Sequence, residues 1–216
     1  MKITTIYIIS ISIAFIATII ATTIYYNRFE KPKRKDKLRQ DITTEQMIES
    51  EKRLQSFLSA HNLEQNASLA KIAKSLNVVS QNTREKLNNN QANISEPDEN
   101  GVRTVVFDTS LNEEEIRFAF AHECSHLING DSTPAMRSNA LNKPSCEQLA
   151  DYMAAAILLP LNEISKALDE SNFVNLNNRK KLSFIRKICT QYQVDDVVAI
   201  RRISEVLHLQ KYEPME

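Results

Sequence analysis

The sequence predicts a predominantly helical α+β domain that is preceded by one transmembrane helix. Three observations support this: an uncharged stretch near the start, recurring helix-start signals after it, and a single segment with a β-strand pattern. About 180 residues follow the uncharged stretch and the basic run after it, which is enough for one compact domain but not for two large ones. We therefore expect a membrane anchor (1–27), a basic juxtamembrane linker (28–40) and one domain (41–216).

The uncharged stretch runs from Ile3 to Tyr26, which is 24 positions without a charged residue. At about 1.5 Å per residue, a helix of this length spans a bilayer core. Seven basic residues follow it: Arg28, Lys31, Lys33, Arg34, Lys35, Lys37 and Arg39. Because Lys and Arg next to a span remain inside, we expect a single-pass membrane protein with its domain in the cytoplasm. Secretion is the alternative, but Ala21-Thr22-Thr23 is a poor signal-peptide cleavage site.

Helix-start signals recur along the predicted domain. Capping boxes, in which Ser or Thr precedes Glu or Gln by three residues, occur at Thr43, Ser110 and Ser145. Ser68 precedes a further segment with apolar residues at helical spacing. Each signal predicts a helix, and the one after Ser110 is expected to span 111–129 and to end at the glycine that follows.

The predicted helix 111–129 carries two histidines on one face. In His122-Glu123-Cys124-Ser125-His126 the histidines are four residues apart, so both imidazoles can reach one ion. Glu123 is placed to take a proton from a water at that ion. This arrangement is the minimal one for zinc-assisted hydrolysis of a peptide bond, so it indicates a metallopeptidase. Cys124 lies about 200° around the helix from His122 and is expected to pack in the core.

A third metal ligand is expected at Glu147, 21 residues after His126. Catalytic zinc usually takes three protein ligands, and two histidines with one glutamate are a common set. Asp151 follows one turn later on the same face, where a carboxylate can hold a ligating histidine in its tautomer. The competing three-histidine pattern requires Gly and His where the chain has Asn129 and Ser132. That pattern is therefore excluded.

These two segments resemble the ImmA/IrrE-type zinc metallopeptidases. The family pattern rFxxAHExxH is similar to 117–126, and ExxA(N/D)xFAaxLLmP is similar to 147–160. The resemblance covers roughly 65–208 and departs from the family at Cys124-Ser125, where Leu-Gly is usual, and at Met153, where Phe is common. Neither position binds metal, so the departures concern only the subfamily.

The resemblance implies a zincin-like catalytic domain with a small β-sheet. Carried over residue by residue, it implies that Zn²⁺ is held by His122, His126 and Glu147 and that Glu123 is the catalytic base. Known members cut helix-turn-helix repressors, so a repressor of that kind is the expected protein substrate. Most members that we would compare are soluble, and the expected anchor is a departure from them.

The C-terminal segment 184–203 predicts a helix, a short turn and a second helix. It looks like a helix-turn-helix, and the family commonly ends in such a segment packed on the protease. From Gln40 onward the chain has 19 basic and 25 acidic residues, a net charge of −6. Because nucleic-acid binding rests on positive charge, direct contact with DNA or RNA is not expected.

The one clear predicted strand is 102–107, and the Asn- and Gln-rich segment 81–100 is predicted to be a loop. In a zincin-like fold, a strand beside the active helix binds extended substrate by β-addition, so 102–107 is the candidate. The donor that stabilises an oxyanion is not identified by the sequence. Its candidates are Tyr152, Arg137 and Tyr192.

Two other functions fit the same motifs. A membrane-tethered housekeeping HExxH peptidase would share the ligands, although such enzymes usually have a longer gap before the glutamate and more transmembrane helices. A non-catalytic zinc-binding regulatory module would also share them, but a purely structural site does not need Glu123. The substrate, the cleavage site and the activating signal are not encoded in a recognisable motif.

Overall fold

The computed structural model describes residues 42–81, 84–87, 91–131 and 146–212. The expected anchor and linker, together with Arg137 and Ser145, lie outside these residues. Among the described residues, no helix has both the length and the apolar character that crossing a bilayer requires. Asp41–Glu216 forms one compact unit.

The described residues confirm the expected architecture, which is mostly helical with a small sheet. The helices are α1 (Thr44–Ala60), α2 (Leu69–Ser75), α3 (Glu113–Asn129), α4 (Cys146–Leu158), α5 (Leu161–Glu170), α6 (Asn178–Tyr192) and α7 (Asp196–Tyr212). The strands are β1 (Val78–Ser80), β2 (Ala92–Ile94) and β3 (Arg103–Phe107), and a 3-10 turn covers Phe173–Asn175.

The starts of the first two helices confirm the sequence signals. The Thr43 hydroxyl accepts a hydrogen bond from the Gln46 amide, and the Gln46 side chain accepts one from the Thr43 amide at 2.8 Å. Ser68 caps α2 by accepting from the Lys71 amide. Each cap satisfies an amide that the first helical turn leaves without a partner.

Helix α3 begins two residues later than expected, because Asn112 and not Ser110 is its N-cap. Asn112 Oδ1 accepts from the Glu115 amide and Glu115 Oε2 accepts from the Asn112 amide, both at 2.9 Å. Ser110 is engaged elsewhere, since its amide and hydroxyl both donate to Asp108. The predicted cap at Ser110 was wrong because Asp108 competes for that side chain.

The sheet overturns two expectations. Its order is β1-β3-β2, with β1 parallel and β2 antiparallel to β3. Part of the segment predicted to be a loop is therefore β2, whose Ala92 pairs with Phe107. Because β3 is paired on both sides, it has no free edge, and the proposal that it binds substrate by β-addition is wrong.

Helix α4 lies at the centre of the helical packing. Every residue from Ala150 to Leu158 is buried, and three consecutive alanines, Ala154 to Ala156, allow neighbouring helices to approach closely. It packs against α3 on one side and against α1 and α7 on others. The two helices expected to carry the metal ligands are thus neighbours in a close-packed core.

The C-terminal segment forms the helix, turn and helix that the sequence indicates. Gln193 ends α6 in a left-handed conformation, with φ 53° and ψ 55°. Asp195 then caps α7, because its Oδ1 accepts from the Val198 amide at 2.7 Å. Helix α7 packs on α4, α5 and α6, so it belongs to the same unit as the residues expected to bind the metal.

Candidate metal centre

Helix α3 presents His122 and His126 on the same face, as their spacing requires. Their rings stand nearly perpendicular, with centroids 4.7 Å apart, and the two Nε2 atoms are 3.0 Å apart. His126 is fully buried, whereas His122 is partly exposed. The pair therefore forms the inner wall of a site that opens on the His122 side.

Glu147, in the first turn of α4, faces this pair. Its Oε2 lies 3.1 Å from His122 Nε2, and its Oε1 lies 3.5 Å from His126 Nε2. One ligand atom from each of the three residues lies within 4.8 Å of the other two. Tetrahedral zinc with bonds of about 2.0–2.1 Å separates its ligand atoms by about 3.3 Å, so the three residues fit a zinc ion. The half-exposed Glu147 side chain leaves the site accessible.

Asp151 fixes the orientation of His122. His122 Nδ1 donates to Asp151 Oδ1 at 2.9 Å, so Nδ1 carries a proton and Nε2 is directed to the ligand cluster. Asp151 is buried one turn after Glu147, as the sequence analysis expects. A ligating histidine usually has such a carboxylate partner, which sets its tautomer and raises its basicity as a ligand.

Asp131 places a carboxylate beside the other histidine, at a position that the sequence motifs do not indicate. Asp131 Oδ2 lies 3.2 Å from His126 Nδ1. The end of α3 brings it there: Gly130 has φ 79°, its amide donates to Leu127 O, and the Asp131 amide donates to His126 O. This pair of bonds is the Schellman motif. An acidic residue at a helix C-terminus interacts unfavourably with the helix dipole. This unfavourable position is the feature of the sequence that could have indicated a role for Asp131.

The charges around the site set its protonation in the metal-free protein. Burial by itself lowers the pKa of His122, but the hydrogen bonds with Asp151 and Glu147 and the charges of Asp151 and Glu123 outweigh it and raise this pKa to about 9. Hydrogen bonds from His122 and His126 hold the pKa of Glu147 well below its ordinary value. At neutral pH a metal ion would therefore have to displace a proton from His122 as it binds.

Glu123 and Cys124 lie between the two histidines in sequence and are both buried. Glu123 is close enough to His122 for its charge to raise the histidine pKa. Cys124 packs in the hydrophobic core, as expected, and burial raises the pKa of its thiol to about 12. The thiol is therefore neutral and does not compete with the histidines for metal.

The structure directs both tyrosine candidates for the oxyanion donor to other partners. Tyr152 is fully buried and its hydroxyl donates to Glu51 at 2.8 Å, inside the core. The Tyr192 hydroxyl donates to Glu163 at 2.7 Å. Neither tyrosine is directed to the ligand cluster, and Arg137 lies outside the described residues.

A helix that carries HExxH, packed against a helix that presents a glutamate and an aspartate to it, fits a catalytic zinc site of two histidines and one glutamate. The M78 peptidase model, described as the IrrE N-terminal-like domain, matches residues 75–204, more than half of the chain. The chain therefore belongs to this family of ImmA/IrrE peptidases, which confirms the resemblance seen in its motifs. No curated protein matches the chain. The family supports a metallopeptidase-type function.

Proposed function

We propose that the protein is a zinc-dependent endopeptidase that cleaves a cytoplasmic helix-turn-helix repressor and so relieves repression. The observation that carries the hydrolytic part is the convergence of His122, His126 and Glu147. The repressor as substrate rests on membership of the ImmA/IrrE family. The acidic balance of the domain supports a protein substrate and not direct binding to nucleic acid.

His122, His126 and Glu147 would hold the zinc ion, which would supply Lewis acidity to polarise a peptide carbonyl and to lower the pKa of a water. The side chains of the protein carry out the proton transfers. Glu123 accepts a proton from the attacking water as the water oxygen bonds to the carbonyl carbon. Glu123 then returns that proton to the nitrogen as the C–N bond breaks. Asp151 holds the Nδ1 proton of His122 throughout, so this imidazole remains neutral and Nε2 remains available.

Replacing Glu123 by glutamine tests this function. Glu123→Gln keeps the size of the side chain and removes the base, so zinc content should remain near wild type. Cleavage of a helix-turn-helix repressor encoded beside the gene should fall about 10²- to 10⁴-fold. The matched control is Glu114→Gln, which makes the same change at an exposed position of α3 and should cleave normally.

The same experiment distinguishes the two alternatives. If Glu123→Gln relieves repression as well as the wild type does, the chain acts as a zinc-binding regulatory module without turnover. If the wild type leaves the repressor intact but degrades misfolded membrane proteins, and Glu123→Gln does not, the protein is a housekeeping peptidase. Either result would contradict the proposed regulatory cleavage.

We further propose that the chain is anchored in the membrane by its first 27 residues, with the domain in the cytoplasm. The support is the uncharged run from Ile3 to Tyr26 and the basic residues that follow it. Protease added to intact cells should leave the domain intact, whereas protease added to inverted membrane vesicles should digest it. Digestion in intact cells would contradict this topology and, with it, a cytoplasmic substrate.

A further inference from the structure

A chain of charged side chains connects the metal centre to α7. Asp151 presents Oδ1 to His122, and its other oxygen, Oδ2, lies 3.7 Å from Arg201 Nη1. Arg201 Nε donates in turn to Glu205 Oε1 at 2.9 Å. One guanidinium therefore contacts the carboxylate that orients a metal ligand and a second carboxylate one turn further along α7.

The end of this series of side chains that is farther from the metal centre is fixed in the core. Arg202, which is fully buried, donates from Nη2 to Glu51 at 2.7 Å and from Nε to Leu159 O at 3.0 Å. Its Nη1 is 3.9 Å from Glu205 Oε2. These contacts tie α7 to α1 and to the end of α4. Breaking such a buried set leaves an uncompensated charge, so α7 has little freedom to shift along α4.

We propose that Arg201 is a positioning residue of the metal centre, which holds Asp151 in the orientation that His122 requires. The proposal rests on the zinc site of the proposed function but not on turnover. It gives α7 a part in metal binding in addition to its packing. Arg201 itself does not contact the ligand cluster and acts only through Asp151.

The geometry requires arginine and not merely a positive charge. The contacts to Asp151 and Glu205 use two different nitrogens of one planar group, Nη1 and Nε. A lysine has a single ammonium and cannot reproduce this fork. If only the charge of Arg201 mattered, its removal would have the opposite effect on zinc affinity, because removing a nearby cation should strengthen the binding of Zn²⁺. Positioning and charge can therefore be separated by experiment.

The test measures the zinc dissociation constant of the purified full-length chain by competition with a chelator. Arg201→Gln should weaken zinc binding roughly two- to fivefold, the range of a partly exposed ion pair. Arg201→Lys should weaken it to a similar extent, because it keeps the charge but loses the fork. Lys166→Gln, in an exposed i,i+4 pair with Glu170, is the matched control and should bind zinc as the wild type does.

A double-mutant cycle tests whether Arg201 acts through Asp151. Asp151→Ala alone should weaken zinc binding about 10- to 100-fold. In that background Arg201→Gln should no longer weaken zinc binding, because the carboxylate that Arg201 positions is absent. Asp151→Asn serves the same purpose if the alanine variant does not fold. The melting temperature of each metal-free variant shows whether any loss of binding comes from unfolding.

Three results would overturn the proposal. Arg201→Gln could bind zinc as tightly as the wild type or more tightly; Arg201→Lys could restore wild-type binding; or the effects of Arg201→Gln and Asp151→Ala could simply multiply. Zinc affinity does not depend on cleavage of a repressor. Failure of the proposed peptidase activity would therefore be seen in the Glu123→Gln comparison, and failure of this inference only in the dissociation constants.

Discussion

Replacing Gly130 by alanine tests whether the end of α3 helps to hold the metal centre. Gly130 has φ 79° and ψ 16°, and a Cβ added there would meet no atom within 4 Å. The cost of Gly130→Ala is therefore backbone strain alone, about 1–2 kcal/mol. In a domain of this size, each kcal/mol lowers the melting temperature by about 2–4 °C.

Strain at Gly130 should also affect zinc binding, because the turn at Gly130 places Asp131 beside His126. If the helix end relaxes to relieve the strain and must return when zinc binds, zinc affinity falls by up to the same free energy. A cost of 1–2 kcal/mol corresponds to an increase of about five- to thirtyfold in the zinc dissociation constant. Chelator competition on the purified full-length chain measures this change.

Gly101 provides a matched control for this experiment. It has φ 75°, and an added Cβ would likewise meet no atom within 4 Å, so Gly101→Ala carries the same strain in the turn before β3. With saturating zinc, both variants should lose similar thermal stability, and only Gly130→Ala should lose zinc affinity. Equal zinc affinity in the two variants, with equal loss of melting temperature, would refute the role given to Asp131.

Two further predictions concern stability. The Ser110 hydroxyl, the Ser110 amide and the Leu87 amide lower the pKa of Asp108. The stability that ionised Asp108 gives to the folded protein is therefore fully present above its unfolded-state pKa of about 3.9. It is lost as the pH falls through the lower pKa of Asp108 in the folded state. The difference in unfolding free energy between the wild type and Asp108→Asn, measured with urea, should shrink below about pH 4; a constant difference would contradict this. Arg202→Met should cost about 3–5 kcal/mol, because it removes the guanidinium that pairs with the buried Glu51 side chain, and adding Glu51→Gln should recover much of that loss. A double variant no more stable than Arg202→Met would contradict the pairing.

The convergence of the three candidate ligands could be predicted from the sequence because local geometry determines most of their arrangement. Residues four apart on a helix must share a face, which fixes His122 relative to His126 and Glu147 relative to Asp151. The chemistry of zinc then requires a third ligand, and Glu147 was the residue that met this requirement. Only the packing of α3 against α4, which the structure supplies, shows that the two pairs face each other.

The sheet could be predicted less well, because pairing between strands is a tertiary property. Strand β2 has only three residues, Ala92–Ile94, too few for an alternating pattern, and its central Asn93 has low β-propensity. Its pairing with β3 stabilises it. The same pairing makes β3 the central strand, which no feature of residues 102–107 reveals.

The polar partners of the metal centre were missed for a similar reason. Asp131 reaches His126 only because Gly130 reverses the chain at the end of α3. Arg201 reaches Asp151 only because α7 packs on α4. In the sequence, Arg201 and Glu205 are an ordinary i,i+4 pair, and such pairs are usually exposed to solvent.

The zinc content of Glu147→Ala tests the central claim most directly. Full-length wild-type protein should contain one zinc per chain, and Glu147→Ala should contain far less, because it removes one of three ligands. Glu170→Ala, which removes an exposed carboxylate from α5, is the control and should retain the metal. Full zinc occupancy in Glu147→Ala would show that the third ligand lies elsewhere and would contradict the metal centre described above.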